Sequence, residues 1–377
     1  MATILVLSFS PLRSDPRVNR QIRSLAPFYT VVSCGYGSEP QGVTEHLQIY
    51  PKARTPFVRA LSALQLKLGM TEQFYWSHPR IRALLKALAG RAFDLVLAND
   101  FEALPVGIKL AEGAPVLFDA HEYAPLEFED RPAWRFFIAP YRDRMCKKYL
   151  PRAAAVTTVC QGIAERYRDE YGVHVEIIAN AGPFHDLPLR PTLPSRIRLI
   201  HHGVAIASRR IEGMIDMMGL VDERFSLDLI LVPGDPLYIT RLRQRADGKP
   251  RIRFLDSVPM DKIVELSAGY DVGLFLLPPT NFNYAMALPN KLFEFIQARL
   301  AVAIGPSPEM ARIVREFDCG IVADDFAPAT LARALNSLTG ADVDRMKAGS
   351  EKAAYAYTAE NNAEKVREIV KSVLKEF

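Results

Sequence analysis

Cysteine is scarce in this chain and scattered, at positions 34, 146, 160 and 319. There is no CxxC pair and no Cys/His cluster, so a zinc ribbon or finger is excluded and reduced thiols are the simplest reading. No metal is expected. No apolar run approaches about 18 residues, which excludes a transmembrane helix. An apolar, strand-like run, Thr3 to Leu7, opens the chain with no basic stretch before it. A secretory signal is therefore not expected, and the expected location is the cytoplasm. Charge of one sign is also lacking: 47 basic and 43 acidic residues leave a net charge of +4. That gives little support to nucleic-acid binding, and no aromatic-basic signature adds any. The turn after the first strand, Leu7 to Arg13, has no GxGxxG, which disfavours a dinucleotide site there. Walker A, G-x-S-x-G and H-E-x-x-H are missing as well, so the commonest P-loop, hydrolase and zincin chemistries drop out. Short-period repeats and low-complexity tracts are absent.

What is present is a chain of ordinary globular composition, 49% apolar and 24% charged over 377 residues. Its length suits two or three domains. Strand-like runs fall at 2–8, 30–34, 94–98, 115–119, 154–158 and 175–179, with helical periodicity between them at 17–25, 81–88, 104–110 and 162–171. Such alternation predicts α/β architecture with a doubly wound parallel sheet. Residues 182–196 hold four prolines and read as an extended linker. A second series follows, with strands near 197–202, 227–232, 251–254, 271–277, 301–304 and 320–323. Helices are expected near 208–219, 237–245, 260–267, 289–298, 307–316 and 327–338. The expected organisation is two Rossmann-like domains, 1–185 and 186–358, facing a cleft. Helix spacing returns at 359–377.

The segment Ala287 to Ala298 is the most informative. It lies between two buried-strand runs, Val272–Leu277 and Ala301–Ile304. Pro289 suits a first helical turn, where its missing N–H costs nothing. Leu292, Phe295 and Ile296 share one face; Asn290, Glu294 and Gln297 share the other. A helix start at the carboxyl edge of a parallel sheet binds anions. Lys291 and the backbone N–H groups of Leu288, Pro289's neighbours and Asn290 could hold a diphosphate. Glu294, one turn in, could accept hydrogen bonds from a ribose diol, or be a solvated glutamate. Gly203 to Ser208 reads as a loop after a buried strand, with Arg209 and Arg210 opening a helix. Arginine there could neutralise phosphate, or both could be exposed.

In the first half, His121 follows a buried strand and could bond a hydroxyl or phosphate, or tie a loop. Asp119 and Glu122 stand beside it. Asn99 and Asp100 end another strand the same way. The stretch from Asp15 to Arg20, with Arg17, could bind a polar acceptor or be a capped, charged helix start. Two stretches, 55–70 and 131–148, are amphipathic and basic. Each suits an anionic membrane surface or an ordinary helix with a solvated basic face.

These residues resemble a family. Phe118-Asp-Ala-His-Glu122, Val156 to Ala164 with Ile178-Ala-Asn180, the Gly203 loop with Arg209, Phe254 to Pro259, Tyr270 to Leu274 and Ala287-Leu-Pro-Asn-Lys-Leu-Phe-Glu294 are similar to segments of the GT-B-fold glycosyltransferases of the family-4 type. The resemblance covers nearly the whole chain. It implies transfer of a sugar, with retention, from a nucleoside diphosphate donor to a saccharide or lipid-linked acceptor, in bacterial cell-surface polysaccharide or glycolipid synthesis. The donor would bind the C-terminal domain: Glu294 at the ribose, Leu288 to Lys291 with Gly203, Arg209 and Arg210 at the diphosphate, main chain at Ser257 and Val258 at the base. His121 would approach the sugar. Asp15, Arg17, Asn99 and Asp100 would lie on the acceptor side, and helix 359–377 would pack back on the N-terminal domain. No cofactor or metal is implied. Two departures stand out. Where the family often has a glutamate eight positions before Glu294, this chain has Met286, and Val204 replaces Arg209's usual partner. A 2-epimerase-like enzyme, or an inactive binding subunit of the same fold, are the alternatives.

Overall fold

The computed structural model describes residues 1–50 and 55–376, and the chain divides into two compact units. One comprises Met1–Ala179, Asn281–Asn283 and Asn362–Phe377; the other, Asn180–Thr280 and Tyr284–Asn361.

The first unit is built on seven strands: β1 (Thr3–Pro11), β2 (Thr30–Tyr36), β3 (Glu45–Gln48), β4 (Leu95–Asn99), β5 (Val116–Ala120), β6 (Ala155–Thr158) and β7 (Glu176–Ile177). All pairs are parallel, in the order β3-β2-β1-β4-β5-β6-β7. Ile4 to Leu7 are wholly buried, as a strand with helices on both faces requires. The order reverses between β1 and β4, so the connections leaving these strands diverge and open a crevice at their carboxyl ends. The helix Pro16–Leu25 starts at Asp15, whose carboxylate accepts from the N–H of Arg17 at 3.1 Å and of Val18 at 3.2 Å. Its Val18, Ile22 and Leu25 pack onto β1, and Val366, Val370 and Val373 of the terminal helix Ala359–Glu376 enter the same core. The helix expected over 359–377 is seen to Glu376; Phe377 lies outside the described residues.

The second unit carries β8 (Ile197–Ala205), β9 (Phe225–Pro233), β10 (Ile252–Leu255), β11 (Val272–Phe275), β12 (Ala301–Ile304) and β13 (Gly320–Val322), again all parallel, ordered β10-β9-β8-β11-β12-β13. The reversal here lies between β8 and β11. The helix Asn290–Gln297 follows β11 and packs Phe295 over Gly273, where a Cβ would fall 2.3 Å from the ring. Residues 182–196 form no helix or strand and are tied along this unit: His185 N–H donates to Gln297 Oε1 at 3.0 Å and Thr192 N–H to Asp344 Oδ1 at 2.8 Å.

Several elements depart from the sequence reading. Gly203 and Val204 belong to β8, which runs three residues further than expected. Arg209 ends a 3₁₀ turn, Ala207–Arg209, and Arg210 is left-handed (φ 48°), so the following helix begins only at Glu212. The short edge strand β3 and the 17-residue helix Gly340–Ala356 were not expected. That helix hides from periodicity because it buries polar and small residues, among them Lys347, Gly349 and Ser350. Lys347 Nζ donates to Asp271 Oδ1 and Thr192 Oγ1, each at 2.8 Å.

Candidate functional site

In the second unit the residues at the carboxyl ends of β8 and β11 converge. Gly203 has φ +130°, and a Cβ there would meet Lys291 Nζ at 3.2 Å and Arg209 Nη1 at 3.6 Å. Only glycine accepts that backbone without strain. Two cationic side chains therefore close on a bare stretch of main chain. Arg209 folds back to donate from Nη1 to the Val204 carbonyl at 3.0 Å. Lys291 is buried, has no hydrogen-bond partner for its ammonium among the described residues, and rests 4.0 Å over the Phe275 ring. Burial, and then Arg209, press its pKa well below the ordinary lysine value, with Glu294 pulling the other way. The helix start is extended at Pro289 and carries no side-chain cap, which leaves the positive end of the helix to an anion.

One turn along, Glu294 lies 3.6 Å from His202 Nε2. His202 is buried; burial first and Lys291 second hold its pKa down to about 3, so the ring is neutral. Leu288 is buried and its carbonyl accepts from Asn180 Nδ2 at 3.4 Å. Asn290 opens the helix beside Lys291. Arg210 is exposed and takes the left-handed conformation that closes the 3₁₀ turn. Ser257 and Val258 sit in the loop after β10, at the sheet edge. Gln297, expected on the exposed face with Glu294, is instead buried, donating to the Ala354 and Tyr357 carbonyls. Of that polar face, only Asn290 and Glu294, in the first turns, keep partial exposure. Met286 is half-buried in the turn before this helix.

In the first unit, His121 is ringed by acceptors. Its Nδ1 is 3.2 Å from Asp100, and its Nε2 3.2 Å from both Asp119 and Asn99 Oδ1. Burial opposes the imidazolium, but Asp100 and then Asp119 outweigh it and raise the His121 pKa. Burial would likewise raise Asp119, yet Arg17 and His121 hold it far below the carboxylate range. Asp100 is shifted up, by burial first, against the pull of His121. Arg17 is committed inside the unit: Nε and Nη2 grip Asp119 at 2.6 Å, and Nη1 donates to the Ile178 carbonyl at 2.7 Å. Asp15 is spent as the helix cap and on Ser10 Oγ at 2.7 Å. Asp15 and Arg17 thus both serve the structure here, in a capped helix start tied to β5. Asn99 is fully buried behind His121. Beside His121 opens a pocket of about 220 Å³, lined by Asp100, Phe101, Glu102, Glu122, Glu127 and Arg142. Arg142 donates to Glu102 at 2.6 Å and pairs with Glu127.

His202, Phe275, Glu102, Glu127 and Arg142 escaped the sequence reading. Only His202 left a signal there, as a histidine closing a buried strand. Among the described residues there is no helix long and apolar enough to cross a membrane and no cluster of three or more His, Cys, Asp or Glu placed to hold a metal.

Comparison with known proteins bears on this arrangement. Residues 30–181 match the model of Glycosyltransferase Family 4. No curated protein matches the sequence. Among solved structures, the chain is similar to a sucrose-phosphate synthase of Thermosynechococcus elongatus at TM-score 0.74 and 14% identity, covering 100% of each chain. It is similar to HepE of Anabaena, in complex with UDP-glucose, at TM-score 0.69 and 14% identity, covering 99% of this chain and 100% of that one. A glycosyltransferase of Rickettsia africae gives TM-score 0.67 and 14% identity, covering 100% and 99%. Two parallel sheets with flanking helices, assembled in this order, are the GT-B fold, and the chain is similar to the family-4 glycosyltransferases that share it.

Proposed function

We propose that the chain is a glycosyltransferase that moves a sugar from a nucleoside diphosphate donor to an acceptor hydroxyl, with retention, in the making of cell-surface polysaccharide or glycolipid. The observation that carries this reading is the convergence of Lys291 and Arg209 on the bare backbone of Gly203, with Glu294 one helical turn away. A diphosphate fits the first group, since an anion would give Lys291 the partner it lacks. The paired hydroxyls of a ribose fit the second, as both can donate to one carboxylate. Departure of the diphosphate builds negative charge, and two fixed cations with a helix N-terminus stabilise it without reorganising. This reading needs no metal and no cofactor. The acceptor side belongs to the first unit, where the carboxylates of the pocket beside His121 can accept from acceptor hydroxyls, with His121 held in its wall by Asp100 and Asp119. Asp100 forms part of that wall. A lipid-linked acceptor would bring the chain to a membrane surface.

The test is a melting panel with UDP, GDP, TDP and CMP, wild type beside Glu294→Ala. One nucleoside diphosphate at 100 times its Kd should stabilise the wild type by about 2.7 kcal/mol and Glu294→Ala far less. No response to any nucleotide would sink the proposal. An equal response in both proteins would remove Glu294 from the ribose. Product analysis with the responding sugar nucleotide then separates a glycoside, formed with acceptor, from an epimer formed without one.

A further inference from the structure

The helix Pro56–Lys67 is built inside out. Its buried residues are Ser62 and Gln65, whereas Phe57 is 78% exposed, Leu61 43% and Leu64 50%. At 100° per residue, Phe57, Leu61, Leu64 and the following Leu68 fall within about 60° of one another, a single apolar stripe. A globular helix turns such a stripe inward. Here the stripe meets a second exposed apolar element, the π-helical turn Trp134–Ile138, whose Phe136 is 68% exposed. The two elements flank a groove of about 480 Å³, walled by Leu66, Leu68, Phe136, Phe137 and Tyr141, with Lys67 and Arg144 at its rim. Contiguous apolar surface of this kind marks an interaction site.

Charge says what covers it. No acidic residue occurs between Thr55 and Met70, and residues 131–148 hold six basic residues against one acidic. Arg59, Lys67, Arg131, Arg135 and Arg144 of these two stretches are all exposed, and Lys67 and Arg144 line the groove itself. The whole chain is nearly neutral, so this concentration is local. Aromatic and leucine side chains rimmed by Lys and Arg match the acyl–headgroup boundary of an anionic bilayer: the apolar tips bury, and the cations stay at phosphate depth. A soluble protein partner would call for hydrogen-bonding groups among the apolar ones, and Leu61, Leu64, Leu68 and Phe136 offer none.

We infer that this face docks the protein on an anionic lipid surface, with Phe57, Leu64, Phe136 and Phe137 inserted and Lys67, Arg135 and Arg144 against the headgroups. The inference stands on the first unit alone and does not depend on the sugar-transfer reading.

The full chain is sedimented with vesicles of pure phosphatidylcholine and of phosphatidylcholine mixed with phosphatidylglycerol. It should partition with the mixed vesicles only, and less so as salt rises. Phe136→Ser with Phe137→Ser, and separately Lys67→Glu with Arg135→Glu, should each lower partition at least about tenfold. All four side chains are exposed, so melting curves should be unchanged. If a variant misfolds, Trp76→Phe leaves Trp134 as the one tryptophan, and brominated lipid in the mixed vesicles should quench it. Wild type left in the supernatant, binding equal on both vesicle types, or variants that sediment like wild type would overturn the inference. So would a concentration-dependent dimer that the Phe136/Phe137 variant abolishes, because the face would then cover a second copy.

Discussion

Among the described residues none hydrogen-bonds the Lys291 ammonium, which lies between the Phe275 ring and the backbone of Gly203. A buried charge without a hydrogen bond costs about 1–3 kcal/mol or more. In the free protein that cost is a penalty on folding; a bound phosphate removes it. Lys291→Met keeps the unbranched stem and the packing on Phe275 while deleting the charge. It should therefore stabilise the free protein by about 1–3 kcal/mol in urea unfolding and abolish the nucleotide-dependent rise in melting temperature. The pH dependence has a definite sign. The folded-state pKa of Lys291 lies below that of the unfolded chain, so between the two the unfolded state binds more protons and wild-type stability rises with pH. The advantage of Lys291→Met should be largest at the acid end and shrink as pH climbs toward the ordinary lysine value. A destabilised variant at neutral pH would show that the ammonium has a partner in the protein after all.

At the scale of the element, the helix Asn290–Gln297 can hold Lys291 there because it lies close on β11. Gly273 makes this possible: Phe295 occupies the space where a side chain would be. Gly273→Ala should cost about 1–3 kcal/mol by overpacking, read by urea unfolding, and should weaken nucleotide binding as the helix lifts. Phe295→Leu in the same chain should recover part of both, since the two residues share one contact. Additive losses would show the strain lies elsewhere. This helix was legible in sequence because its cues are local: a proline start, an apolar triplet at helix spacing, and unbroken apolar strands on either side. Gln297 was not, because its burial depends on carbonyls at Ala354 and Tyr357, some 60 positions away, on a helix whose own buried face is partly polar. The inverted helix Pro56–Lys67 shows the same limit from the other side. Its amphipathic pattern was plain, but sequence does not say which face the fold turns outward.

Over the whole molecule, the alternation of strands and helices fixed the number and type of most central elements, since parallel strands covered on both faces must be apolar throughout. Edges were the least legible: β3, with the half-polar sequence Glu-His-Leu-Gln, pairs along one side only. The return of the C-terminus is a different matter, because periodicity announces a helix and not its partner. Among the described residues of that helix, Val366, Val370 and Val373 are 7%, 0% and 5% exposed and sit with Ile4, Val6 and Ile22 in the core of the first unit. Asn362 adds a bond from Nδ2 to the Ala179 carbonyl at 2.8 Å. Three buried valines are worth about 5 kcal/mol or more, a large share of what holds a domain together. A chain ending at Thr358 keeps every strand of both sheets and the helix Pro16–Leu25, yet opens the part of the core around Ile4, Val6 and Ile22 that the three valines share. It should bind a hydrophobic dye, melt at a clearly lower temperature and aggregate on concentration. Replacing the three valines with serine in the full-length chain should reproduce the loss without removing any backbone. If the truncated chain melts like the full one, the terminal helix rests on the first unit without supporting it, and the core there closes on strands and internal helices alone.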